Sequence, residues 1–284
     1  MTEKFSDAAH VFMPLINLHQ HSIYYESYGK GDPLLLIGGF TNHIEIWEPL
    51  LPFLEKKFFV VAFDNRGAGR SSARPPYSIT QFSNDTIALM DHLALPSASV
   101  VSLSMGTLIL QDLALRFGHK INRSVMISPF SALPATAHIQ AQAQLSLLQA
   151  GVDPALVMNL LLPWLYSSTF LSDPQRVSML IDKMKADPYF PTKEGYQGQL
   201  NAMQAADFTN QLASVSTPLL LLAGEEDICI LPETAKKMAH TLPHADLKLI
   251  PHTAHLPHIE HPHLVFEAIA AFFNLKRTDA TTNT

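Results

Sequence analysis

The 284-residue sequence predicts an α/β fold: a mostly parallel central sheet flanked by helices, with a helical cap inserted into it. Three observations carry that reading. Short apolar runs alternate with stretches of helical period in both the first and the last third of the chain. The runs PLLLIG, FFVVAF and PLLLLAG are apolar almost throughout, as strands covered on both faces must be. Between residues 131 and 211 no good strand occurs, and Ala, Gln, Leu and Met dominate instead.

In chain order, residues 16–29 (INLHQHSIYYESYG) read as two short antiparallel strands, and residues 33–40 (PLLLIGGF) as a buried strand ending in a glycine pair. Residues 58–64 (FFVVAFD) form a second buried strand, followed by the loop NRGAGRSSARPP. A helical period runs through 79–95, where Phe82, Ile87, Met90, Leu93 and Leu95 fall near one face. The third strand is ASVVSL (98–103), followed by a helix over 105–117 and a strand over 121–127. After the insertion come a strand at 218–224, a helix at 231–242, a strand at 245–250 and one closing helix to residue 273. Right-handed crossovers gather the loops at the C-terminal ends of the strands, so residues there are the candidates for chemistry.

The domain reading is therefore a core of residues 1–130 and 212–284 with a cap of 131–211, expected to hold four or five helices. Asp153-Pro154, Asp173-Pro174, Asp187-Pro188 and Pro191 punctuate the cap. No internal repeat or low-complexity tract is evident, and TDATTNT at the C-terminus reads as a frayed tail.

Composition narrows the function. A chain this long buries roughly 75% of its unfolded surface, so a sizeable core is expected. The formal net charge is −6 with Lys and Arg scattered, which argues against nucleic acid or an anionic membrane as partner and toward a small molecule. Cys229 is the one cysteine; it precludes an intrachain disulfide and reads as a small hydrophobe. MTEKFSDAAHVFMP has no continuous apolar stretch of a secretory signal. The most apolar run, VMNLLLPWLY, is broken by Asn159 and Pro163 and is too short to span a bilayer. A soluble cytoplasmic protein without a membrane span is the expectation.

In SLSMG a strand ends, Ser104 occupies a sharp turn and a helix starts at once. Such a turn exposes the hydroxyl and aims the free N–H groups of the helix N-terminus at any oxyanion formed beside it. The pattern nearly matches the nucleophile elbow G-x-S-x-G, with Ser102 at the first glycine and Gly106 at the second. Taken alone, it leaves open a structural serine at a strand–helix junction. His252, His255, His258 and His261 recur every third residue, which could suggest a metal, but no carboxylate or thiol ligands stand in register.

At five places in the right order the chain resembles the α/β-hydrolase fold family. IGGFTNHIEIW stands where such enzymes place a His-Gly turn, here Gly38-Gly39; DNRGAGRSS (64–72) resembles the family's D-x-R-G-x-G-x-S loop. SLSMGT follows, then LLAGEED (221–227) and IPHTAHLPHIEHP (250–262). The resemblance covers residues 13–275, and in the cap and in YQGQLNAMQAADFTNQL it is closest to esterase and enol-lactonase-like members. It implies Ser104 as nucleophile, Asp227 as acid and His255 as base, in the order Ser, Asp, His expected of this fold. Glu225 and Glu226 suit a solvated loop better; Ala254 replaces the usual glycine before the histidine. The oxyanion hole is expected from the backbone N–H groups of Met105 and Phe40, and Asp64, Arg66, Gly67 and Gly69 read as a structural loop.

The expected function is a serine hydrolase that cleaves a carboxylic ester of a small, mainly apolar substrate through an acyl-enzyme, with no metal or organic cofactor. A serine at the elbow disfavours the dehalogenase and epoxide hydrolase chemistries that similar families run from an aspartate. Carbon–carbon bond hydrolysis, enol-lactone opening and perhydrolysis remain alternatives on the same residues. A ligand-binding homologue with weak turnover is a further alternative, suggested by Ser102, Gly38 and Ala254. In the cap, Met158, Leu161, Trp164 and Leu165 are expected to wall the substrate pocket, because segments apolar nearly all round must bury more than one face.

Overall fold

The computed structural model describes residues 15–18, 21–72 and 74–275, so the leader and tail readings lie outside the described residues. In chain order the elements begin with β1 (Leu15–Leu18), β2 (His21–Gly29), β3 (Asp32–Ile37), α1 (Leu51–Leu54), β4 (Phe58–Phe63), α2 (Ile79–His92), β5 (Ser99–Leu103), α3 (Met105–Arg116) and β6 (Ser124–Ile127). Six helices then precede the next strand: α4 (Ala135–Gln149), α5 (Pro154–Asn159), α6 (Leu162–Leu165), α7 (Ser168–Leu171), α8 (Pro174–Ala186) and α9 (Lys193–Gln204). β7 (Leu219–Gly224), α10 (Pro232–Thr241), β8 (Ala245–Ile250), α11 (Pro257–Glu260) and α12 (Pro262–Phe272) complete the chain.

The strands form one eight-stranded sheet in the order β1-β2-β4-β3-β5-β6-β7-β8. β1 and β2 pair antiparallel, as does β2 with β4, and every later pairing is parallel. Alternation along the strands splits the core into two layers. Leu35, Ile37, Val61, Phe63, Val100, Met126 and Leu221 face α2, α3 and α10. Leu34, Leu36, Val60, Ala62, Val101, Leu103 and Leu222 pack with Leu54 of α1 and Val265 and Ile269 of α12.

Three boundaries differ from the sequence reading. The strand expected from residue 121 starts at Ser124, because the chain changes partner: Asn122 N–H bonds Ala98 O at 2.9 Å, whereas Ser124 N–H bonds Pro218 O at 3.0 Å. The single closing helix is two, α11 and α12, broken at His261 by Pro262, which has no N–H to continue a helix. The insertion holds six helices, because α5, α6 and α7 are short pieces with Pro154 and Pro163 near the starts of the first two. Asp153 and Asp173 cap the N-termini of α5 and α8 ahead of a proline in the first turn, the arrangement an Asp-Pro pair favours. The two ends of the insertion meet where Phe208 N–H bonds Ser131 O at 2.9 Å. Among the described residues no helix is long and apolar enough to cross a membrane.

Candidate active site

Ser104 links β5 directly to α3 with φ at 50°, a left-handed conformation that L residues resist. Its surroundings hold it there. Its N–H donates to Ile127 O (2.9 Å), and its C=O accepts from Thr107 N–H (2.8 Å) and Thr107 Oγ1 (2.7 Å). Gly106 is required two residues on, since a Cβ there would fall 2.4 Å from Ile37 O. Ser102 occupies the other glycine position with its hydroxyl turned into the sheet, donating to Val125 O at 3.1 Å. That bond accommodates the extra hydroxymethyl group and leaves Ser104 as the serine at the turn.

The loops after β7 and β8 bring Asp227 and His255 to Ser104. Gly224 permits their close approach, because a Cβ would lie 2.1 Å from Ala254 O. His255 Nε2 stands 3.0 Å from Ser104 Oγ, and its Nδ1 stands 2.9 Å from Asp227 Oδ2. Asp227 is buried, and its Oδ1 accepts the N–H groups of Cys229 (2.8 Å) and Ile230 (2.9 Å). An ionised carboxylate only accepts, so Nδ1 carries the imidazole proton and the Nε2 lone pair faces the Ser104 hydroxyl. Glu225 and Glu226 are exposed beside it.

The other three histidines are elsewhere. His252 is exposed beside Glu226, and His261 is exposed at the α11–α12 break. His258 is fully buried on the Trp47 ring and donates Nε2–H to Ile46 O at 3.2 Å. Burial, with nearby His255, pushes its pKa down to about 3 against the opposing pull of that carbonyl. Cys229 also borders the site; burial and the Asp227 carboxylate push its thiol up to about 12, so it is a protonated, weakly reactive group at neutral pH.

The Met105 N–H, first in α3, and the Phe40 N–H find no acceptor among the described residues. Gly39 lets the Phe40 loop close on the serine, since a Cβ at Gly39 would lie 3.2 Å from Ser104 Cβ. Ser104, His255 and Phe40 border a cavity of about 120 Å³ that is also lined by Met158, Leu161 and Leu165. Trp164, expected beside them, is not among its lining residues: within the single turn of α6 it does not share the position of Leu165.

Two residues at the site were not singled out in the sequence. Glu260 accepts Ala254 N–H (2.8 Å), and it also accepts Ser167 N–H (3.2 Å) and Oγ–H (2.5 Å), joining the His255 loop to the insertion. Its burial raises its pKa. Gln199, wholly buried in α9, accepts Thr41 N–H at 2.7 Å and donates to Arg66 O at 2.9 Å. The close spacing of Gly195, Tyr196, Gly198 and Gln199 was the available signal, a helix face with small residues for close approach. The loop of Asp64 is structural as read: its carboxylate accepts Ile44 N–H and Arg70 N–H, both at 2.8 Å.

The described residues contain one side-chain group with metal-ligand spacing, His43, Glu45 and Asp187. Its two carboxylates lie at opposite ring nitrogens: Asp187 Oδ2 is 2.9 Å from Nε2 and Glu45 Oε2 is 3.3 Å from Nδ1. Only the Nε2 contact is a hydrogen bond; Nδ1 is buried without a hydrogen-bond partner among the described residues, so hydrogen bonding ties the imidazole to Asp187 alone.

A family model described as alpha/beta hydrolase fold matches residues 32–262. The chain is 27% identical over 263 residues to 3-oxoadipate enol-lactonase 2 of Acinetobacter baylyi, covering 92% of this chain and 96% of that protein. Its structure is similar to that of a hydrolase from Pseudomonas aeruginosa PA01, with a TM-score of 0.82, 25% identity and coverage of 92% and 98% of the two chains. It is also similar to Est816, described as an N-acyl homoserine lactone degrading enzyme, with a TM-score of 0.78, 25% identity and coverage of 91% and 100%.

Proposed function

The chain belongs to the α/β-hydrolase fold family, and on that premise we propose that it is a cytoplasmic serine hydrolase cleaving the carboxylic ester of a small, mainly apolar substrate. The observation that carries the proposal is one imidazole, His255, hydrogen-bonded to Ser104 at 3.0 Å on one side and to buried Asp227 at 2.9 Å on the other, at an apolar cavity.

A serine hydroxyl is a weak nucleophile at neutral pH unless a base takes its proton as it attacks. In the proposed cycle His255 Nε2 accepts that proton while Ser104 Oγ bonds to the ester carbonyl carbon. The carbonyl oxygen becomes an oxyanion facing the Met105 and Phe40 N–H groups, which have no acceptor among the described residues. Asp227 stabilises the imidazolium and holds its tautomer. As the carbon–oxygen bond breaks, His255 returns the proton to the leaving alkoxide, which departs as the alcohol. A water molecule then attacks the acyl-Ser104, giving its proton to His255, which passes it to Ser104 Oγ as the Ser104–acyl bond breaks and the acid is released. The cycle consumes one ester and one water and yields one acid and one alcohol.

A cyclic ester runs through the same steps with the alcohol still tethered to the acid. Lactones are therefore the second reading, favoured by relatives named as an enol-lactonase and as a lactone-degrading enzyme. The test compares Ser104→Ala and Ser102→Ala on p-nitrophenyl butanoate and a lactone panel, with circular dichroism as the check on folding. Ser104→Ala is expected to lose at least about three orders of magnitude in kcat, and Ser102→Ala to keep most of it. A fluorophosphonate probe should label the wild type and not Ser104→Ala. Undiminished turnover by folded Ser104→Ala overturns the nucleophile assignment.

A further inference from the structure

We propose that Gln199 of α9 is a positioning residue for the oxyanion-binding N–H of Phe40, acting through its 2.7 Å hydrogen bond to the next peptide, at Thr41. The proposal rests on the ester-hydrolase reading above, in which Phe40 supplies that N–H.

A peptide unit is planar, so pinning its oxygen or its hydrogen fixes the direction of the other. The Gly39–Phe40 unit is pinned at its oxygen, where Gly39 O accepts Asn42 N–H at 3.2 Å. The Phe40–Thr41 unit is pinned at its hydrogen, which Gln199 Oε1 accepts. These two planes flank the Phe40 Cα. Holding both sets the φ and ψ of Phe40 and hence where its N–H points.

The bond at Thr41 works against a conformational preference. Thr41 has φ at 60°, and a β-branched residue resists the left-handed region. The loop would relax away from this shape without something to hold it. Gln199 is suited to that task because its other end is anchored: Nε2 donates to Arg66 O at 2.9 Å. Arg66 is itself fixed by bonds of 2.8 and 3.0 Å to Asp85. The glutamine therefore spans from a rigid core loop to the loop that needs holding.

The helix carrying Gln199 approaches closely enough only because it lacks side chains on the docking face. A Cβ on Gly195 would lie 2.1 Å from Gly67 O, and one on Gly198 would lie 2.4 Å from the Tyr77 ring. Tyr196 on the same helix packs edge-on against the Phe40 ring, with centroids 4.6 Å apart. The insertion thus holds the oxyanion loop through both the backbone at Thr41 and the side chain of Phe40.

The experiment uses the full chain with Gln199→Met, which keeps the volume and loses both hydrogen-bonding ends, and Gln199→Glu, whose carboxyl, held protonated by complete burial against Arg66 O, keeps an oxygen for the Thr41 N–H and an O–H for Arg66 O. The readouts are kcat and KM on p-nitrophenyl butanoate, and the affinity of an alkyl trifluoromethyl ketone, whose hemiketal with Ser104 places an oxyanion in the same hole. Because a single oxyanion donor contributes about 100- to 1,000-fold, misplacing one by Gln199→Met is expected to lower kcat about 10- to 100-fold. KM should stay within about threefold, ketone affinity should weaken in parallel with kcat/KM, and Gln199→Glu should recover most of the loss. A folded Gln199→Met with kcat within about threefold of wild type overturns the proposal. So does a loss confined to KM, or an equal loss in Gln199→Glu. If neither variant folds, Gln199 is a structural strut and the positioning role falls. A wild type without Ser104-dependent turnover instead overturns the ester-hydrolase reading, and this proposal with it.

Discussion

His255 and His258 stand three positions apart and are held in opposite ways by their surroundings. The first is bonded at both ring nitrogens, to Ser104 and Asp227. The second is sealed against Trp47 with one bond to a carbonyl. Spacing every third residue could not distinguish them; the loop position of His255 and the burial of His258 on α11 do. The resemblance to a family named Ser104, Asp227 and His255, which hydrogen bonds join through His255, and the stretches it covered included Gln199 and Glu260 without assigning either a role. Their partners, Thr41 and Ala254, become neighbours only after folding, and neither Gln nor Glu is distinctive in sequence. The depressed pKa of His258, from 6.5 to about 3, makes a stability prediction. Between those values the unfolded chain binds a proton at this site that the folded chain refuses. Its contribution is therefore complete above about pH 6.5 and is lost as pH falls toward about 3. Over that window it amounts to about 1.4 kcal/mol per pH unit. His258→Gln, which retains a donor for Ile46 O without titrating, should show a flatter fall in Tm with acid than the wild type. Parallel Tm-against-pH curves would show that His258 does not carry the acid sensitivity.

At the scale of elements, the strands were legible because β3, β4 and β7 are buried on both faces and read as uninterrupted apolar runs. The insertion was legible as helical but not in its divisions. Its residues 157–166 are apolar nearly all round, so periodicity gave no face, and the local breaks at Pro154 and Pro163 decided the division into α5 and α6. The same short helices explain why Met158, Leu161 and Leu165 reach the cavity and Trp164 does not: side chains on a single turn point in different directions. An apolar wall formed by these three side chains predicts a chain-length dependence. Each methylene that enters it contributes about 0.8 kcal/mol, about fourfold in specificity if retained in the transition state. On p-nitrophenyl esters kcat/KM should rise for several carbons beyond acetate and then fall. Leu161→Trp, which fills part of the cavity, should move the maximum to a shorter acyl chain. A profile that is flat, or that peaks at acetate, would shift weight to small polar esters or lactones.

Across the whole molecule, the proposed chemistry depends on bringing together residues scattered over most of the chain: Phe40, Ser104, Gln199, Asp227 and His255. A parallel sheet does this by delivering successive loops to one edge, which is why the alternation of strands and helices was enough to say where a site would lie. It was not enough to say what joins the insertion to the core. Lys183 and Glu48 bridge the two, but both are exposed, and such pairs contribute little. The more enclosed bridge is His43, whose Nε2 bonds Asp187 of the insertion at 2.9 Å. This cluster is the place where the molecule most resembles a metal site, and the histidine run near the C-terminus is the place where the sequence does. His43, Glu45 and Asp187 each offer one ligand atom within 4.8 Å of the others, but the Nε2 of His43 is already bonded to Asp187 at 2.9 Å. The four histidines of the run are dispersed, facing Glu226, Ser104 and Asp227, Ile46 O and solvent, respectively. Prolonged dialysis against EDTA should consequently leave both kcat and Tm unchanged. A fall in Tm alone, reversed by a divalent cation and absent in His43→Gln, would assign a structural ion to the bridge between insertion and core. A fall in kcat reversed by zinc would instead move the metal to the histidine run and displace the hydrolytic mechanism built on Ser104.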